Sequence, residues 1–186
     1  MDRIRTEEIR KELEENSGVV RFKGFQADSP PDDPNSWFLE IAKKIGTPVS
    51  QSQTGELILN IRNDGFGVDD PRTRGPNTNR KLGFHSDRCD VIGFLCLQKA
   101  KRGGENQIVQ SEEVEAIIRV ERPDFHKVLC QPFPYKRHVV DQGNRSPFCM
   151  QPIFSWRERY FACSYLRVLI DRANADPECP DLSEIQ

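Results

Sequence analysis

Leu82-Gly83-Phe84-His85-Ser86-Asp87-Arg88-Cys89-Asp90 leads directly into Val91-Ile92-Gly93-Phe94-Leu95-Cys96-Leu97, and the reading of the fold starts from this stretch. Its second half is apolar over the length of one strand, which fits a buried central strand better than a helix. Its first half places an imidazole and a carboxylate two residues apart. In extended backbone, residues i and i+2 share a face, so His85 and Asp87 can converge on one cation. A neutral imidazole and a carboxylate are two of the three ligands of the facial triad that holds non-haem Fe(II) with open positions. The third, usually a second histidine, must come from a distant strand. Three histidines in 186 residues give roughly 0.2 chance occurrences of His-x-Asp, so the spacing gains weight only from its surroundings.

Those surroundings are ordered. Upstream, residues 63–80 form a long loop carrying Gly65, Gly67, Pro71, Gly75 and Pro76, and loops of that length in a compact domain are more often functional than accidental. Before it, Leu57, Leu59 and Ile61 alternate with Ile58, Asn60 and Arg62, the period of a strand with a buried face. Trp37, Phe38, Ile41, Ala42 and Ile45 set one apolar face on a helix ended by Gly46. Ile9 and Leu13 do the same for a short helix that stops at Gly18, followed by a strand from Val19 to Phe25. Downstream, Lys101-Arg102-Gly103-Gly104 turns the chain, and Ile108-Val109 reads as a short strand. Ser111-Glu112-Glu113 opens a helix with Val114, Ile117 and Ile118 on one face, closed before Pro123. Asp124 to Cys130 adds a helical turn or two. Phe133 to Val139 and Tyr160 to Tyr165 are strand material, while Tyr165 to Ala173 suits a helix equally well.

Charge and composition narrow the function. Lys and Arg number 27 against 29 Asp and Glu, a formal net charge of -2, which gives no support for a nucleic-acid or membrane-surface partner. With 36% hydrophobic and 30% charged residues, the chain can build a modest core. No apolar run approaches the ~18 residues of a membrane span, and the first residues have no apolar stretch of the kind a secretory signal needs. The expectation is a soluble, cytoplasmic protein. Six scattered cysteines without a CxxC pair argue against a zinc ribbon and against a disulfide framework; they read as buried free thiols.

Thr78-Asn79, the run Leu82 to Val91, Leu95-Cys96-Leu97 and Ala100-Lys101-Arg102-Gly103-Gly104-Glu105 together resemble the TauD/TfdA family of Fe(II)- and 2-oxoglutarate-dependent dioxygenases. Arg21 to Phe25 and Ile45-Gly46-Thr47-Pro48-Val49-Ser50-Gln51 are similar to its N-terminal part. The resemblance implies a mainly β fold with flanking helices: a double-stranded β-helix, or jelly roll, of the clavaminate synthase-like kind. Residues 1–186 would form a single domain, the N-terminal part of that fold. It implies Fe(II) as metal, 2-oxoglutarate as co-substrate and a small organic molecule as substrate. His85 and Asp87 match the family's first two iron ligands. Asn106 stands where a Ser or Thr hydroxyl usually contacts 2-oxoglutarate, and its amide can donate to a carboxylate with different geometry. Asn79 and Gln51 occupy substrate-contacting positions, although turn or edge hydrogen bonding is the commoner role for such residues.

The family's second histidine and its carboxylate-clamping arginine belong to a C-terminal motif. Pro180 to Gln186 reads as the opening of a helix, and the expectation is a chain cut before that motif, lacking the distal ligands and full activity. Only His126 and His138 remain. His126 reads as a solvated helical residue and His138 as part of a basic strand, both ordinary surface histidines. Two other readings stand beside the partial dioxygenase: a noncatalytic jelly-roll binding module with a vestigial metal site, and a cupin-like metal protein that uses His138.

Overall fold

Asp33 decides where the second helix begins. In the computed structural model, which describes residues 6–23, 32–51, 54–66, 77–137 and 146–186, its carboxylate accepts from the Asn35 and Ser36 backbone N–H groups, and Pro34 takes the first helical position. Helix α2 (Pro34–Ile45) follows, closed by the Gly46 N–H on the Ala42 carbonyl at 3.0 Å. Helix α1 (Thr6–Glu15) buries Ile9. Its Arg10 reaches the Ile45 and Lys44 carbonyls at 3.1 and 3.4 Å, satisfying acceptors that every helix C-terminus leaves open. Gly18, at φ 69°, returns its N–H to Glu12, a left-handed turn that suits glycine.

The chain divides into two compact units, Met1–Lys81 with Val91–Glu105, and Leu82–Asp90 with Asn106–Gln186. In the first, Phe38 of α2 sits so close to Gly93 that a Cβ there would lie 3.0 Å from Cζ of the ring. A side chain at this point of the apolar run would have to push the Phe38 ring aside by a few tenths of an ångström. The run itself differs from the expectation. Neither Val91 to Leu97 nor residues 57–61 nor Ile108-Val109 joins a ladder among the described residues, and Phe94, Ile61 and Ile108 are 63%, 63% and 68% exposed. A strand is stabilised by the neighbour that takes its N–H and C=O groups, and no such neighbour stands beside these segments among the described residues. Val19 to Lys23 likewise carries no strand; Gly24 and Phe25 lie outside the described residues.

The second unit holds the hydrophobic core. Helices α3 (Ser111–Glu121) and α4 (Pro123–Leu129) meet at Arg122, because Pro123 cannot continue α3 but is preorganised to start a new helix. Strand β1 (Pro132–Lys136) pairs antiparallel with β2 (Phe148–Pro152), Tyr135 opposite Cys149. Strand β3 (Phe154–Arg157) pairs antiparallel with β4 (Tyr160–Cys163) through a two-residue turn in which Glu158 takes φ 56°. Helix α5 (Arg167–Asn174) then lays Leu169, Ile170 and Ala173 into the interior. Phe133, Tyr135, Ile153, Phe154, Leu169 and Ile170 form one buried cluster. Tyr165 to Ala173 therefore resolves mainly as helix, and β2 and β3 are strands that sequence periodicity did not indicate. The described residues thus carry helices and two small antiparallel sheets.

The last residues form a turn instead of the expected helix. Gln186 N–H bonds to the Ser183 carbonyl at 2.9 Å, and the Gln186 side chain donates to Pro132 O at 3.0 Å. Nearby, Lys136 of β1 holds Asp176. The hydrogen bond from Lys136, then the one from the Glu178 N–H, keeps the Asp176 carboxyl below its ordinary 3.8, while Lys136 is raised above 10.5 by the same contact. A depressed carboxylate stabilises above its unfolded pKa and loses that contribution as pH falls through the folded value. A raised lysine stabilises below its unfolded pKa and loses that contribution as pH rises through the folded value. Asp176→Asn is therefore expected to show a stability deficit that is flat from about pH 5 to pH 9 and shrinks below pH 3.8. Urea unfolding of both proteins across that range measures it, and a deficit unchanged in acid would refute the ionic origin.

Candidate metal centre

Ser86 orients the segment that carries the candidate ligands. Its N–H donates to the Tyr165 carbonyl at 2.8 Å, and its Oγ accepts from the Tyr165 N–H at 2.7 Å. Burial pushes the Cys163 thiol up, and the Ser86 hydroxyl opposes that rise. With Ser86 turned to the body of its unit, the two-residue period sends His85 and Asp87 to the other side. Arg88, in step with Ser86, places its guanidinium 5.3 Å from the centre of the Tyr135 ring, within cation–π range. Tyr135 is 1% exposed and donates its hydroxyl to Ser164 O. Burial raises its pKa far beyond the ordinary phenol range, against the pull of Arg88, so it acts as a neutral donor.

On the outward side, His85 Nδ1 lies 2.8 Å from the Gly83 carbonyl. A carbonyl only accepts, so Nδ1 carries a proton, and in the neutral ring Nε2 is the nitrogen with the lone pair. Nε2 lies 3.9 Å from Asp87 Oδ2. Adjacent ligands of an octahedral ion at ~2.0–2.2 Å stand about 3 Å apart, so a small rotation of the half-exposed Asp87 carboxylate brings both atoms onto one ion. The side chains are 29% and 48% exposed, open to an entering ion. The donor set, one imidazole and one carboxylate, suits Fe(II). In chemistry these two side chains suit two of the three ligand positions that the resemblance implies. Among the described residues no group of three or more His, Cys, Asp or Glu side chains could hold one. Cys89 is adjacent, but burial, followed by the charges of Asp87 and Asp90, raises its thiol pKa, which disfavours a thiolate ligand.

The other candidates fall elsewhere. Asn106 is exposed on the lead-in to α3, in the same unit as His85 and Asp87. Asn79 and Gln51 belong to the first unit. Asn79 is exposed. Gln51 donates its side-chain amide to Val49 O at 3.1 Å and its backbone N–H to Glu56 O at 2.7 Å, the local turn bonding that is common for such residues. His138 lies outside the described residues.

His126 is helical as expected, yet not solvated. It is 17% exposed, stands 6.1 and 6.0 Å from the ring centres of Phe154 and Trp156, and bonds through Nε2 to Glu115 at 2.6 Å. Glu115 is buried and also accepts from Arg119 at 3.1 Å. The reason is tertiary: α4 folds back on α3, and the β3–β4 hairpin covers the ring. Glu115, Ser86, Arg88 and Tyr135 were not singled out from the sequence. For Ser86 and Arg88 the signal was present, since the alternation that pairs His85 with Asp87 also pairs these two on the opposite face.

Comparison with known proteins gives the family. The sequence profile of the taurine catabolism dioxygenase TauD, TfdA family matches residues 2–181, and the chain belongs to that family. It is 29% identical over 133 residues to FR-33289 synthase of Streptomyces rubellomurinus (strain ATCC 31215). That alignment takes in 70% of this chain and 39% of the synthase, so the chain spans well under half the length of that relative. Among the described residues no helix is long and apolar enough to cross a membrane.

Proposed function

We propose that this chain is the metal-binding part of an Fe(II)- and 2-oxoglutarate-dependent dioxygenase that hydroxylates a small organic molecule. The observation that carries this reading is the Nε2 to Oδ2 separation of 3.9 Å in a chain whose family is that of TauD. Iron held there supplies activation of dioxygen, and the overall change is 2-oxoglutarate plus dioxygen plus R–H to succinate, carbon dioxide and R–OH. The chain's own contribution is positional. His85 offers the Nε2 lone pair because Gly83 O holds the proton on Nδ1. Asp87 supplies the negative charge that offsets part of the metal's. Asn106 is assigned to a carboxylate of the co-substrate, and Asn79 and Gln51 to the substrate. The jelly-roll architecture, the single-domain organisation of residues 1–186 and a cytoplasmic location belong to the same proposal.

The second reading is a noncatalytic jelly-roll binding module with a vestigial metal site. The two separate by experiment. Fe(II) is titrated into the chain without oxygen, then 2-oxoglutarate and air are admitted and succinate is measured. Iron-dependent succinate formation that disappears in Asp87→Ala supports the dioxygenase. Without succinate, iron binding that 2-oxoglutarate tightens supports the partial dioxygenase, iron binding indifferent to 2-oxoglutarate favours the binding module, and no iron binding overturns the metal centre.

A further inference from the structure

We propose that Ser86 is the positioning residue of the metal centre, its hydroxyl holding His85 and Asp87 in ligating geometry from behind. The inference rests on the reading that His85 and Asp87 share a metal, and it adds a residue that touches neither ligand side chain nor metal.

The outward side chains have little to hold them. His85 has the Gly83 carbonyl, which orients its ring, and Asp87 is half exposed. What determines their direction is the backbone between them. Ser86 is attached to Tyr165 at two points, by its N–H to the carbonyl and by its Oγ to the N–H, across 79 residues of sequence. One hydrogen bond leaves a strand free to roll about its axis, and a second from the side chain of the same residue removes that freedom. Rolling would swing His85 and Asp87 together away from any third ligand, and a site loosened by about 1 Å loses function. The anchor is itself fixed. Ser164 O receives the hydroxyl of the buried Tyr135, Ser164 N–H bonds to Ile153 O at 2.8 Å, and Arg88 lies over the Tyr135 ring. The spacing thus carries two faces: one presents ligands, and the other locks them to the core of the unit.

The test uses the full chain and Co(II), whose ligand-field absorption reports coordination geometry as well as occupancy. Ser86→Ala is expected to weaken Co(II) binding about 10- to 100-fold, the usual cost of losing a group that supports a ligand, and to shift the absorption bands. Ser86→Thr, which keeps the hydroxyl, is expected to stay within about threefold of wild type with unshifted bands. A purely structural serine would change the melting temperature without changing the bands of the bound ion. Ser86→Ala with wild-type affinity and spectrum overturns the positioning role while leaving the centre intact. Wild-type protein that takes up no Co(II), or His85→Ala that binds it normally, overturns the centre and the positioning role with it. Should Ser86→Ala not fold, Tyr135→Phe removes only the hydroxyl that fixes Ser164; a loss of about 3- to 10-fold in affinity is expected there, and wild-type binding overturns the proposal.

Discussion

His85→Ala is expected to weaken Fe(II) binding by at least about 100-fold, since removing a ligand costs more than removing its support, and to leave the folded chain otherwise undisturbed. The second half of that expectation follows from the surroundings of the side chain. His85 makes its ring hydrogen bond to Gly83, two residues away, and stands partly in solvent. Truncations at such positions usually change stability by no more than about 0.5 kcal/mol. The first half follows from chelation: with the imidazole gone, Asp87 is a single carboxylate, half in water, and binds divalent ions no better than many others on the surface. Asp87→Asn tests the same site from the other side, keeping shape and hydrogen-bonding capacity while removing charge. Anaerobic Fe(II) titration and a thermal melt of each variant give the result. Retained iron affinity in both variants rules out the centre, and loss of affinity together with a large fall in melting temperature assigns the two residues to the fold instead.

Glu115→Ala is expected to destabilise the second unit by about 3 kcal/mol, the range found when one member of a buried hydrogen-bonded pair is removed. The carboxylate is 9% exposed and accepts from His126 and Arg119. Without it, the His126 Nε2 faces Phe154 and Trp156 with its principal partner gone, and a polar group left so costs more than the bond itself was worth. The gain in helix propensity from alanine recovers only a few tenths of a kcal/mol. Arg119 contributes little to the loss, because it is 58% exposed and regains water. Glu115→Gln, which retains an acceptor but not the charge, is expected to cost about 1 kcal/mol. Equilibrium unfolding in urea distinguishes them, and a Glu115→Ala chain within about 0.5 kcal/mol of wild type would show that His126 finds another partner.

The helices were legible where local signals agree. Gly46 marks the end of α2, while the Asp33 cap and Pro34 at its start, an equally local signal, were not singled out from the sequence. Pro123 separates α3 from α4 for a reason internal to its ring. The strands were legible less well. Phe148 to Pro152 and Phe154 to Arg157 lack clean alternation, and their ladders with β1 and β4 come from distant pairing. Conversely, Leu57 to Ile61 and Val91 to Leu97 have the pattern of strands and stand unpaired among the described residues. Periodicity records which faces can be buried, and pairing depends on what stands beside them.

The candidate site divides along the same line. Two-residue spacing, a property of extended backbone alone, determined that His85 and Asp87 share a face, and the ordered run from Thr78 to Glu105 determined the family. Only the tertiary structure decided that Ser86 would be bonded twice to Tyr165, that Arg88 would cover Tyr135, and that His126 would pair with Glu115 instead of water. Each of those contacts joins residues far apart in the chain or on separate elements, so its existence depends on how the helices and strands pack, which no local pattern of residue types records.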